Sequence, residues 1–255
     1  MIMASTRRSH RAMVAGIVSA LVLLGPSYAA PSHPLLDRLP RLVLWAWERP
    51  EDLRGLDRDV AVAFLAQTID LKVDGVQVSP RRQPLRVDPE TPLIAVTRVA
   101  TNPASRQSES LVDRVATTVA NTAGLPGVKA VQIDFDAVQS ERPFYRQLLR
   151  RVKDMLGGRT PLSMTALASW CTDDSWIRDS AVDEIVPMFF HMGPFEARYR
   201  RAAAAGAVAV SCRTAVGTSL DEPIALAGKG RRVYVFSARR WADDTVAEAR
   251  RRTTR

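Results

Sequence analysis

Short apolar runs rich in β-branched and aromatic residues alternate with amphipathic stretches along most of the chain. Runs at 41–47, 74–79, 93–100, 130–136, 162–169, 184–190, 207–212 and 232–238 read as strands. Between them the period changes. Val60, Phe64 and Thr68 recur every four residues behind Asp57, a candidate cap, and predict a helix. Leu111, Val115 and Val119 repeat that spacing after Ser108, with Gly124 as a stop. Phe144, Leu148 and Val152, opened by Ser140, predict a third helix, and 194–205 and 242–252 predict two more.

About eight strands alternating with helices over this length fit a (β/α)8 barrel of the TIM type, with a doubly wound sheet as the alternative. Pro84, Pro89 and Pro92 interrupt 81–92, so the second crossover is expected to lack its helix. The segments after the fifth and seventh strands leave room only for short helices. The expectation is an irregular barrel.

The chain's first stretch stands apart. Arg7, Arg8 and Arg11 precede an apolar run from Ala12 to Leu24, which Gly25 and Pro26 break. This reads as a secretory signal peptide over 1–29, cut after Ala29, since a cut after Ala30 would leave Pro31 next to the scissile bond. The run is shorter than the roughly 18 residues a bilayer span needs, so no transmembrane anchor is expected. The remaining 226 residues (255 − 29), over 30–255, suit one barrel domain. The net charge of +9 includes those three arginines, leaving about +6 after cleavage. Export to the periplasm or beyond makes nucleic acid an improbable partner and leaves anionic envelope polymers open. A monomer is expected, with no cofactor.

Chemistry in such barrels gathers where the strands end. On the fourth strand, Gln132, Asp134 and Asp136 share one face while Val131, Ile133 and Phe135 share the other. The apolar set should face the helices, which turns two carboxylates toward the lumen or mouth, Asp136 nearer the mouth. Two acids held close cannot both ionise easily, so one should hold its proton more tightly. An acid beside a base is what glycosidic cleavage requires. Asp136 is the candidate proton donor, with Asp134, Glu48 or Glu222 as the second carboxylate. The competing reading for Asp134 is a polar barrel layer paired with Arg98 or Arg213. A DxD pair also suits a metal-bound nucleotide sugar, but such donors are scarce outside the cytoplasm.

Trp47, Trp170 and Trp241 fall at the ends of strands one, five and eight, with Trp176 just beyond the fifth. Tryptophans around one rim suit stacking against sugar rings, whereas Trp45 suits the core. Arg98, His191 and Arg213 complete the candidate ligand contacts. No second histidine is placed to join His191, so no metal site is expected. Cys171 and Cys212 end strands five and seven. Two strand spacings, about 9–10 Å, exceed the roughly 7 Å that a disulfide spans, so no bond is expected.

The segments LVLWAWERP (42–50), SPRRQPLR (79–86), QIDFDA (132–137) and LASWC (167–171) resemble an uncharacterised bacterial family of barrel-shaped, glycosidase-like domains. More distantly, Asp134-Phe135-Asp136 resembles the Asp-aromatic-Glu element of chitinase-type glycoside hydrolases, and 188–191 resembles their Met-x-Tyr-Asp. Asp136 stands one methylene short of that glutamate, and Phe190 and His191 replace the tyrosine and aspartate. The resemblance implies a glycoside-hydrolase-like barrel acting on a polysaccharide or glycoconjugate, without the substrate-assisted chemistry those side chains serve. The alternative is a non-catalytic barrel that binds carbohydrate or cell envelope.

Overall fold

The computed structural model describes residues 33–73, 75–101, 109–174, 176–224 and 230–253; the segment 1–29 lies outside them. Helix α1 (Pro34–Asp37) precedes strands β1 (Leu42–Ala46), β2 (Glu51–Leu53), β3 (Val60–Lys72), β4 (Gly75–Pro80), β5 (Leu85–Val87) and β6 (Leu93–Thr101). Then come α2 (Glu109–Asn121), β7 (Val128–Asp134), α3 (Arg142–Leu156), β8 (Leu162–Leu167) and α4 (Ala168–Thr172). The chain finishes with β9 (Glu184–Met188), α5 (Glu196–Ala204), β10 (Ala215–Ser219), β11 (Arg232–Phe236) and α6 (Asp243–Thr253). Strands β1, β3, β6, β7, β8, β9, β10 and β11 pair in that order, all parallel, and β11 returns to β1. This is a closed eight-stranded (β/α)8 barrel.

The second barrel strand is β3, not the 74–79 run. The helix expected at Val60, Phe64 and Thr68 does not exist, because every residue from Val60 to Gln67 is buried. A strand covered on both faces shows no alternation, and any four-residue spacing can be found in it. Within the expected 74–79 run, Gly75 to Ser79 belong to β4, which turns back antiparallel on the far end of β3, and residue 74 lies outside the described residues. The second crossover lacks a helix as expected, and so does the first. In their place β2 and β5 form a small parallel sheet whose Leu53, Leu85 and Val87 cover Val60, Val62 and Leu93. The seventh strand is β10, not 207–212. Residues Val210–Cys212 form a 3-10 turn ahead of it.

Side-chain alternation fills the barrel. Val43, Trp45, Ala61, Ala63, Ile94, Val96, Ala130, Val186, Ala215 and Tyr234 pack together in the lumen. Their neighbours Val131, Ile133, Leu162 and Met164 face outward, against α2 and α3. At the N-terminal ends of the strands α1 inserts Leu36 beneath the lumen cluster, and Leu39 follows it. There the Arg232 guanidinium pairs with buried Glu184 and donates to the Leu36 and Pro40 carbonyls. The Tyr234 hydroxyl donates to Glu184 Oε2 at 2.6 Å. Burial pushes the Glu184 carboxyl up from its ordinary range, and Arg232 opposes that shift.

Cys171 and Cys212 form a disulfide across a Cα separation of 6.0 Å, against the expectation. Neither ends a barrel strand. The chain enters α4 directly after β8, and the 3-10 turn before β10 folds against it, with the Ala209 N–H donating to the Cys171 carbonyl at 2.8 Å. Two-strand spacing therefore does not apply. Among the described residues no helix is long and apolar enough to cross a membrane.

Candidate functional site

At the C-terminal ends of the strands lies an open cleft of about 540 Å³. Its floor is polar. Asp134, the last residue of β7, is 3% exposed and points into the lumen. Its Oδ2 accepts from Arg98 Nη1 at 2.9 Å and its Oδ1 from the Thr165 hydroxyl at 2.8 Å. Burial raises the Asp134 carboxyl above its ordinary value, the Arg98 charge pulls it back, and the Asp136 charge adds to the rise. Asp136, two residues on, keeps 46% of its side chain exposed in the cleft and lies 3.8 Å from Arg98 Nη2. One guanidinium thus faces both carboxylates, and it also sits 5.6 Å from the Trp47 ring.

The walls are aromatic and apolar. Trp47 beyond β1 packs on Phe236 of β11 with centroids 6.1 Å apart, and Phe236 on Phe190 beyond β9 at 4.8 Å. Leu167, Met188, Phe195 and Tyr199 add to the apolar lining. His191 stands at the rim with φ 51°, a left-handed backbone that non-glycine residues seldom adopt. Glu222 holds it there. One carboxylate oxygen accepts from the His191 backbone N–H at 3.0 Å, and the other lies 3.2 Å from its Nε2.

Of the residues singled out in the sequence, the structure brings Trp47, Arg98, Asp134, Asp136 and His191 into this one cleft. The others lie elsewhere. Trp170 is 2% exposed in the outer core, stacked edge-on to Trp176 at 4.8 Å, because α4 begins at once after β8 and rotates it away from the mouth. Trp241 is 4% exposed, and its indole N–H donates to the Trp45 carbonyl at 2.9 Å. Arg213 donates to the Val208 carbonyl at 3.1 Å in the loop before β10. Glu48 Oε1 accepts from the Arg82 and Gln83 backbone N–H groups, both at 3.0 Å, and so braces the loop after β4. Glu222 is engaged by His191 and, at 4.0 Å, by Arg200.

Thr165 and Phe236 escaped the sequence reading although alternation could have found them. Each lies two residues beyond a lumen-facing position, Ser163 and Tyr234. Tyr199 carries no comparable signal, since it reaches the cleft from a surface helix. Among the described residues no cluster of three or more His, Cys, Asp or Glu could hold a metal ion.

No family model matches the chain, and no curated protein matches it. Solved structures do. A family GH18 chitinase from Chromobacterium violaceum aligns at 12% identity over 84% of this chain and 81% of its own, with a TM-score of 0.49. The GH113 β-mannanase of Alicyclobacillus acidocaldarius aligns at 10% identity over 83% and 91%, with a TM-score of 0.45. The spore cortex-lytic enzyme SleL of Bacillus megaterium aligns at 11% identity over 70% of this chain, with a TM-score of 0.44; the match spans about half of SleL, 51%.

Proposed function

We propose that the chain is an exported, glycoside-hydrolase-like protein that cleaves a polysaccharide or glycoconjugate by carboxylate acid/base catalysis. The observation that carries this reading is Asp136, half-exposed in an aromatic-walled cleft directly above the buried, hydrogen-bonded Asp134. Sugar rings present a C–H face that stacks on aromatic side chains and hydroxyls that need polar partners. The cleft offers both.

In this reading Asp136 gives its proton to the glycosidic oxygen as the C–O bond breaks. Water adds to the anomeric carbon, and its proton passes to a carboxylate. Asp134 is the second carboxylate, its orientation fixed by Arg98 and Thr165; when ionised, against the pull of burial and with the help of Arg98, it places negative charge beneath the centre where positive charge develops. Trp47, Phe190 and Phe236 hold the ring. Export rests on the 1–29 segment with its three arginines, and the Cys171–Cys212 disulfide accords with an oxidising compartment.

A second reading, a binder without catalysis, has its own support. Arg98 faces both cleft carboxylates, while Glu48 and Glu222 are engaged in bracing loops. A screen of the purified protein against envelope and exopolysaccharide glycans, scored for both binding and cleavage, separates the two. For the enzyme, Asp136→Asn lowers the cleavage rate by at least about 10²–10⁴-fold with melting little changed. For the binder no glycan is cleaved, Asp136→Asn shifts affinity modestly, and Trp47→Ala weakens it strongly. Cleavage by Asp136→Asn at the wild-type rate overturns the catalytic reading.

A further inference from the structure

We propose that Phe195 forms an outer sugar subsite, separate from the inner aromatic wall, so that the ligand is an oligosaccharide spanning several units and not one terminal sugar. This rests on the glycan reading above. Phe195 lies on the one-turn 3-10 helix Gly193–Phe195 that follows β9, borders the cleft, and is 58% exposed. Its nearest aromatic neighbour is Tyr199, at 6.4 Å. The inner rings behave differently. Trp47, Phe236 and Phe190 pack on one another and are half-buried, so they form one continuous surface beside Asp134 and Asp136. The cleft therefore has two aromatic surfaces, with the polar groups of Asp136, Ser169 and His191 also lining it.

A single exposed phenylalanine is ordinary on a protein surface. What distinguishes Phe195 is the construction that presents it. His191 is kept in a left-handed backbone by Glu222, which engages both its main chain and its ring. Gly193 follows with φ 62°, and Pro194 fixes the next φ. Arg200 bonds the Pro223 carbonyl and lies 4.0 Å from Glu222, tying α5 to the same loop. Strain of this kind persists only where the surroundings impose it, and here it fixes the course of the chain into Phe195. A backbone whose course is set before binding leaves only the Phe195 side-chain rotamers to be ordered when a ring stacks on it. The volume of about 540 Å³ is in the range of clefts that enclose drug-sized ligands, which leaves room for more than one sugar.

The test uses ladders of β-1,4-linked glucose, mannose and N-acetylglucosamine, dimer to hexamer, titrated calorimetrically into the mature protein, Phe195→Ala, Phe195→Trp and Trp47→Ala. On the ladder that binds, wild-type affinity rises with length and then levels. Phe195→Ala lowers affinity for the longest oligomer about two- to tenfold, leaves the dimer unchanged, and Phe195→Trp restores the gain. Equal affinity of wild type and Phe195→Ala at every length, with Trp47→Ala impaired, overturns the outer subsite and leaves the glycan reading standing. Binding that does not depend on length also overturns it. If no oligomer on any ladder binds the wild type, the outer subsite for such linear oligosaccharides is overturned, while the glycan reading is decided by the envelope and exopolysaccharide screen.

Discussion

Replacing Arg98 with methionine removes the charge that faces Asp134 while keeping a flexible apolar stem in the barrel wall. Asp134 is 3% exposed and would keep only the Thr165 hydroxyl as a partner. Orphaning one member of a buried ion pair costs about 3–5 kcal/mol. The Arg98 side chain is 39% exposed, so solvent already screens part of the interaction, and about 2 kcal/mol is the expected loss at neutral pH. For a domain of this size that is a fall of roughly 4–8 °C in melting temperature. The pH dependence has a definite sign. Burial raises the folded-state value of Asp134 above 3.8. A carboxyl raised in this way contributes stability that is present below 3.8 and is lost as pH rises through its folded value. Without Arg98 that value rises further, so the loss at neutral pH is larger. The stability gap between wild type and Arg98→Met should be small in acid and widen as pH increases. Adding Asp134→Asn removes the buried charge and should recover most of the loss. Urea titrations of the three proteins from about pH 4 to pH 8 measure this. A gap that stays constant across pH, or is missing at neutral pH, refutes the electrostatic account of this pair.

The same packing sets other outcomes. Replacing both Cys171 and Cys212 with serine opens a closure of sequence separation 41 and should cost about 4 kcal/mol on the chain-entropy estimate, read by denaturation against the oxidised protein. Trp170→Ala should cost about 3–5 kcal/mol through the cavity left in the outer core, whereas Trp47→Ala should lower glycan affinity at little cost in melting temperature. Trp241→Phe should lose about 1 kcal/mol with the bond to the Trp45 carbonyl and leave glycan affinity unchanged. Expressed in an exporting host with its own leader, the protein should begin at or near Ala30 by N-terminal sequencing; an intact Met1 refutes the cleavage.

Legibility in the sequence followed the environment of each element. Where a strand has one wet or polar position to anchor its alternation, as at Gln132 and Asp134, parity alone oriented the side chains and matched the packing of Val131, Ile133 and Phe135 against the helices. Where both faces are dry, as in Val60–Gln67, period carries no information; only the β-branched Val60 and Val62 spoke for a strand. Residues 207–212 read as a strand because they are small and apolar, yet they serve as packing for α4, while the true strand Ala215–Ser219 carries a glycine and two hydroxyls. The tryptophans were misjudged for a related reason. A position near a strand's end gives no direction once the chain changes element, so Trp170 turned outward with α4. Glu222 is a different case, because nothing local reveals that a loop carboxylate reaches back to a backbone N–H across 31 residues.

The closed floor has a consequence for traffic. Lumen side chains fill the barrel, and α1 with the Glu184–Arg232–Tyr234 cluster seals its lower end, so the described residues leave a vessel with a single opening. A polymer cannot thread such a vessel and can only lie across the lip; on the proposed reading, a product formed at Asp136 would leave past Trp47, Phe190 and His191, the same side chains that line its way in. Entry and exit then share one set of contacts, and tighter capture at that lip necessarily slows departure from it.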